Sequence, residues 1–213
     1  MRHSGILFDR RRFMGNVITV TREFGSMGRP IAKIIAERMG FQYYDRDIIE
    51  LTVKELHGNI EELSTLEEKN TSIFAKMMYP LGHGTALMQD KLYEMEKSVI
   101  LDLASGDDCV IVGRCSDYIL HECRHPNMLN VFIYAPYDCR VAFCEKELHL
   151  STEKAKSYIK SVDKARCEFY KFRTGVSYYS TTYRNLMVDS SIASHEACAD
   201  LICTAAKHKL GLL

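Results

Sequence analysis

Gly25-Ser26-Met27-Gly28-Arg29 lies between an apolar run, residues 17–21, and a stretch of helical spacing that ends at Gly40. A strand, a glycine turn and a helix in immediate succession build an anion site. Glycines allow backbone conformations and close approaches that a side chain would block, and the helix start presents unpaired N–H groups with the positive end of its dipole. Phosphate is the ligand such a junction suits. The pattern G-x-x-x-x-G-K-[ST] would put glycine at Glu23, lysine at Arg29 and a hydroxyl at Pro30, so only Gly28 meets it strictly. Arg29 still offers a planar fork that matches phosphate oxygens. Pro30 suits the first turn of a helix, where a missing N–H is no loss. The plain alternative is a strand-to-helix turn that binds nothing.

Further arginines and acids follow or precede other apolar runs. Asp45 comes after a short aromatic run at residues 41–44, Arg114 after residues 109–112, Arg140 near the start of a helical pattern at 137–148, and Asp189 at the end of residues 186–189. Strands alternating with helices imply an α/β fold with a mainly parallel sheet in three layers. Ligands in such sheets sit beyond the carboxyl ends of the strands, so residues 21–29, Asp45, Arg114, Arg140 and Asp189 are expected on one rim. Several arginines beside a glycine loop suit a polyanionic substrate.

The elements that must hold this rim are legible in outline. Strands are expected at the opening of residues 17–40 and at residues 41–44, 109–112, 129–134 and 186–189. Between the second and third, residues 46–105 read as a helical insertion, with helices at 47–56, from about residue 60, and at 85–104, the last two parted by residues 80–84. Its Met77, Met78, Leu87, Met88, Leu92, Met95, Val99 and Ile100 form an apolar face for the core or a second subunit. Ser151 caps a helix over 152–172, and Ser194 caps a final one reaching about His208. Residues 1–15, with Arg2, Arg10, Arg11 and Arg12, show no periodicity and read as a flexible leader before a single domain at 16–213.

Composition narrows the function classes. The chain has 213 residues, 28 basic and 28 acidic, a formal net charge of zero and 46% hydrophobic residues. That balance argues against a polybasic nucleic-acid module or a disordered chain. No apolar run approaches the length of a membrane span and the N-terminus lacks the apolar core of a secretion signal, so a cytoplasmic location is expected. The eight cysteines include no C-x-x-C pair. The one cluster with metal-ligand chemistry, His121-Glu122-Cys123-Arg124-His125, has no second cluster to complete a zinc site, and no metal ligands are assigned.

In the order residues 18–29, Tyr43-Tyr44-Asp45-Arg46, residues 110–115, residues 131–136 with Arg140, Asp163-Lys164-Ala165-Arg166 and Val188-Asp189-Ser190-Ser191, the chain resembles the cytidylate kinase-like family of the P-loop nucleoside monophosphate kinases. The resemblance implies a five-stranded parallel sheet, a helical region covering a monophosphate and a basic lid over the triphosphate, here at residues 152–180. It implies ATP and Mg2+, with the γ-phosphoryl passing to a nucleoside monophosphate such as CMP or another small phosphorylated acceptor. Gly25, Ser26, Met27, Gly28 and Arg29 would hold the ATP phosphates. Asp45, Arg114 and Arg140 would hold the acceptor. Arg29, Lys160, Asp163 and Arg166 would serve the transfer, with Lys164, Lys171 and Arg173 nearby. Phosphoryl transfer is mostly positioning and charge neutralisation, so cations rather than a covalent nucleophile carry it. Two alternatives stand beside this reading: a silent nucleotide or phosphate sensor, since Arg29 and Pro30 replace the lysine and hydroxyl, and an interaction module dimerising through the helical insertion.

Overall fold

The computed structural model describes residues 14–49, 52 and 86–213. Five strands form one parallel sheet: β1 (Val17–Arg22), β2 (Gln42–Tyr44), β3 (Cys109–Val112), β4 (Met128–Tyr134) and β5 (Leu186–Asp189). Their spatial order is β2-β3-β1-β4-β5. In register, Val17 faces Cys109 on one side and Met128 on the other. The helices are α1 (Gly28–Met39), α2 (Ala86–Ser105), α3 (Ser116–Glu122), α4 (Tyr137–Leu148), α5 (Thr152–Thr174) and α6 (His195–Leu210), with residues 46–49 also helical.

Both faces of the sheet are covered, which is why its central strands read as continuous apolar runs rather than alternating ones. The alternation of side chains still sorts them. Ile18, Val20, Val110, Val112, Val131 and Ile133 meet α1 and α6 through Ile31, Ile35, Ala199 and Ile202. Val17, Cys109 and Ile111 point the other way, to Tyr93, Val99 and Ile100 of α2 and Ile119 and Leu120 of α3. The described part of the methionine-rich face is thus used inside the chain, with Leu92 and Met95 packed against it. Met77, Met78, the side chains of Leu87 and Met88, and the helix expected from residue 60 lie outside the described residues.

The expected caps form. Gly40 closes α1 in the left-handed region, Ser151 accepts from the Lys154 N–H, and Ser194 accepts from the Ala197 N–H. Several boundaries move: β2 begins one residue later and β4 one earlier, α2 runs one residue further to Ser105, α5 runs to Thr174 before its Gly175 cap, and α6 ends at Leu210. Helix α3 is an addition, since sequence patterning marks no element there. Its His121 packs against the Tyr183 ring, and the described residues contain no group of three or more side chains able to hold a metal. No helix among the described residues is long and apolar enough to cross a membrane.

Candidate anion-binding site

The order of the strands locates a crevice. Strand β1 leads to α1 on one face of the sheet and β3 leads to α3 on the other, so the chain parts between the carboxyl ends of these two neighbours. Such a parting is where open α/β sheets bind ligands. A pocket lies there, walled by Thr21 and Arg22 of β1, Arg29 of α1, Arg46, Val112 to Cys115 after β3, and Arg166, Phe169 and Tyr170 of α5, with Tyr178. Five of these twelve residues are arginine, and none is acidic.

Beside it runs the glycine loop. Gly25 has φ 79° and Met27, at the N-cap of α1, has φ 60°. Alternation of left- and right-handed residues turns successive N–H groups to the same side, forming an anion-binding concavity. None of the N–H groups of Gly25, Ser26, Met27, Gly28 and Arg29 donates a hydrogen bond among the described residues, whereas the next, on Ile31, donates to the Met27 carbonyl. The loop is held from its carbonyl side. Ser190 Oγ donates to the Ser26 carbonyl at 2.8 Å, and Ser26 Oγ donates to the carbonyls of Glu23 and Ile133, each at 3.0 Å. The Ser26 hydroxyl therefore faces backbone rather than the open side of the loop.

Helix α5 fastens the segment just before the loop. Asp163 accepts the Phe24 N–H at 2.8 Å and pairs with Arg140 at 2.5 Å, while Arg140 also donates to the Phe24 carbonyl at 3.2 Å. Arg140 Nε lies 3.5 Å from Glu23, whose carboxylate accepts the Ala135 N–H. Burial raises Glu23 above the usual carboxylate range, against the opposing pull of Arg140. Arg166 and Tyr178 both donate to the Arg22 carbonyl, at 3.0 and 2.7 Å. Burial pushes Tyr178 up to about 12, which keeps its hydroxyl a donor.

The residues expected from sequence thus divide. Arg29, Arg114 and Arg166 reach the pocket wall; Gly25 to Gly28, Asp45, Arg140, Lys160, Asp163 and Asp189 are not among its described lining. Asp45 caps the following helical turn, accepting the Asp47 and Ile48 N–H groups and the Tyr43 hydroxyl. Lys160 is exposed on α5. Arg29 lies 3.6 Å from Asp45 and 3.4 Å from Asp47, and Arg114 pairs with Glu96 of α2 at 2.7 Å, both partners nearly sheltered from solvent. Farther along α5, Arg173 pairs with Asp90 at 2.6 Å and lies over the Tyr93 ring, joining α5 to α2.

Sequence reasoning missed three participants. Arg22 is a partly buried wall residue whose side chain has no hydrogen bond or ion pair among the described residues; burial first, then the neighbouring Arg166 and Arg29 charges, bring its guanidinium down to about 9, still protonated at neutral pH. Ser190 holds the loop, where only its place in a motif marked it. Asp117 binds the Tyr170 hydroxyl at 3.0 Å, the Thr21 hydroxyl at 3.4 Å and, more closely, the deeply buried Arg184. Nothing in local spacing announces these pairs, whose members lie 53, 96 and 67 residues apart.

Residues 17–192 match the model of the cytidylate kinase-like family, so the chain belongs to that family. No curated protein sequence matches it. Among solved structures, an uncharacterized protein from Eubacterium ventriosum ATCC 27560 superposes with a TM-score of 0.69 at 19% identity, over 90% of this chain and 98% of that one. A gluconokinase from Sinorhizobium meliloti 1021 gives 0.52 at 12% identity, over 94% and 95%. At these identities the likeness is one of fold.

Proposed function

We propose that this member of the cytidylate kinase-like family is a nucleotide-binding phosphotransferase that passes the γ-phosphoryl of ATP to a nucleoside monophosphate such as CMP or another small phosphorylated acceptor. The observation that carries the reading is the junction of five N–H groups, Gly25 to Arg29, that donate to none of the described residues, with a pocket whose described wall holds five arginines and no carboxylate. Backbone donors in a fixed concavity stabilise phosphate charge without reorganising, the main demand of phosphoryl transfer. In this reading the loop holds the ATP phosphates, Arg114 faces the acceptor, and Arg29 and Arg166 neutralise charge on the moving group. Arg140 and Asp163 act one step away, fixing the Phe24 backbone and, through Arg140, the Glu23 carboxylate, and Asp45 orients Arg29. Lys160 contributes only by moving inward from its exposed place on α5.

Mg2+ fits these residues poorly as a protein-held ion. Ser26 spends its hydroxyl on two carbonyls and Thr21 shares its own with Asp117, so magnesium would arrive on the phosphate oxygens of ATP itself. The same observation favours a second reading, a phosphate or nucleotide sensor without turnover, because binding needs only cations and N–H donors. Purified protein incubated with ATP, magnesium and a panel of monophosphates separates them. Diphosphate product supports transfer; ATP bound in calorimetry without product from any acceptor supports the sensor, and no binding removes both.

A further inference from the structure

The standard phosphate loop carries its cation on the helix after the last glycine, and here that residue, Arg29, is turned toward Asp45 and Asp47. Another arginine enters from the strand. The side chain of Arg22 leaves the end of β1, passes over Gly28 and ends beside Gly113. A Cβ placed on Gly28 would stand 2.5 Å from Arg22 Cβ and 2.8 Å from its Cγ; one placed on Gly113 would stand 2.2 Å from its Nη1. Two glycines, one opening α1 and one closing β3, thus leave the track that a single side chain fills. Arg29, Arg114 and Arg166 each have a carboxylate within 4 Å, while the Arg22 guanidinium has neither a carboxylate partner nor a hydrogen bond among the described residues.

We propose that Arg22 is the ligand-binding cation of this loop and that its partner is a doubly charged phosphate group, the end of a phosphate monoester or a terminal phosphoryl, seated in the pocket between β1 and β3. A guanidinium kept in a partly buried wall without a counter-ion is unfavourable until an anion supplies one. Repulsion from Arg29 and Arg166, which depresses its proton affinity, adds to that imbalance. A dianion offers oxygens to several donors at once, and the planar fork of arginine takes two of them. The inference rests on reading the pocket as a phosphate site, and assigns that site's charge to a residue outside the glycine loop.

The test is the thermal unfolding of the full chain with inorganic phosphate at pH 8, where phosphate is mostly dianionic, run on wild type, Arg22→Met and Arg22→Lys, with ATP titrated in parallel. Methionine keeps an unbranched stem over Gly28 and removes the charge. Phosphate should stabilise wild type, Arg22→Met should lose at least tenfold in phosphate affinity, and lysine should keep part of it. Should Arg22→Met not fold, the lysine variant decides alone, by whether its phosphate affinity drops at least threefold. Phosphate affinity unchanged by both substitutions, or no phosphate response in a wild type that binds ATP, overturns the assignment while leaving the phosphotransferase reading standing. Absence of both phosphate and ATP binding overturns the two together.

Discussion

Asp163→Ala tests the fastening of α5 to the segment before the glycine loop. The Asp163 side chain is 10% exposed, accepts the Phe24 N–H at 2.8 Å and pairs with Arg140 at 2.5 Å. Removing one partner of a buried ion pair costs about 3–5 kcal/mol, because the other charge stays buried. Glu23 remains 3.5 Å from Arg140 and offsets part of that, placing the expected loss near the lower end, about 3 kcal/mol. In a chain of this length such a loss lowers Tm by roughly 6–12 °C. Urea unfolding measures it as a fall in midpoint at constant slope. Lys164→Ala is the control, since its pair with Glu168 is 71% and 68% exposed and should contribute under about 0.5 kcal/mol. Adding Arg140→Met to Asp163→Ala should cost at least about 1 kcal/mol less than the two single losses together, because the orphaned guanidinium goes with its partner. A single variant within about 1 kcal/mol of wild type, or strict additivity in the double, would refute the coupling.

Two other outcomes follow from the same structure. Gly113→Ala forces a side chain onto a residue at φ 81° and into Arg22 Nη1, so it should cost at least about 1–2 kcal/mol in urea unfolding and weaken phosphate binding as well; a variant with wild-type stability and phosphate affinity would contradict the track described for Arg22. His125 is buried, with Nε2 against the Ala104 carbonyl and Nδ1 without a partner among the described residues, and burial lowers its pKa from 6.5. The unfolded chain therefore binds the proton more readily, so His125 contributes stability that is present above about pH 6.5 and lost as pH falls through its lower folded value. Stability curves of wild type and His125→Gln between pH 8 and 5 should converge toward acid, and parallel curves would count against this.

The fold was legible because its signals are local. Ser151, Ser194 and Gly40 cap helices by chemistry confined to one turn, and the apolar runs of β1, β3 and β4 declare strands covered on both faces. The loop at Gly25 to Arg29 was legible for the same reason. Helix α3 was not, being seven residues long and entered through three successive positive φ values at Gly113, Arg114 and Cys115, two of them on residues that rarely adopt them. The division of labour among the charged side chains was also hidden. Arg22 and Arg29 look equally suited to phosphate as sequence, and only the position of Asp45 and Asp47 shows which is already paired. Asp163 and Arg140 stand on different helices, so their joint hold on Phe24 is a product of tertiary packing.

The most direct measurement is a crystal grown with tungstate, a dense tetrahedral dianion, and located by its anomalous signal. The account predicts a tungstate whose oxygens lie within hydrogen-bond distance of the N–H groups of Ser26 to Arg29 or of the Arg22 guanidinium. Tungstate bound only elsewhere on the molecule, with both of these positions empty, would contradict it.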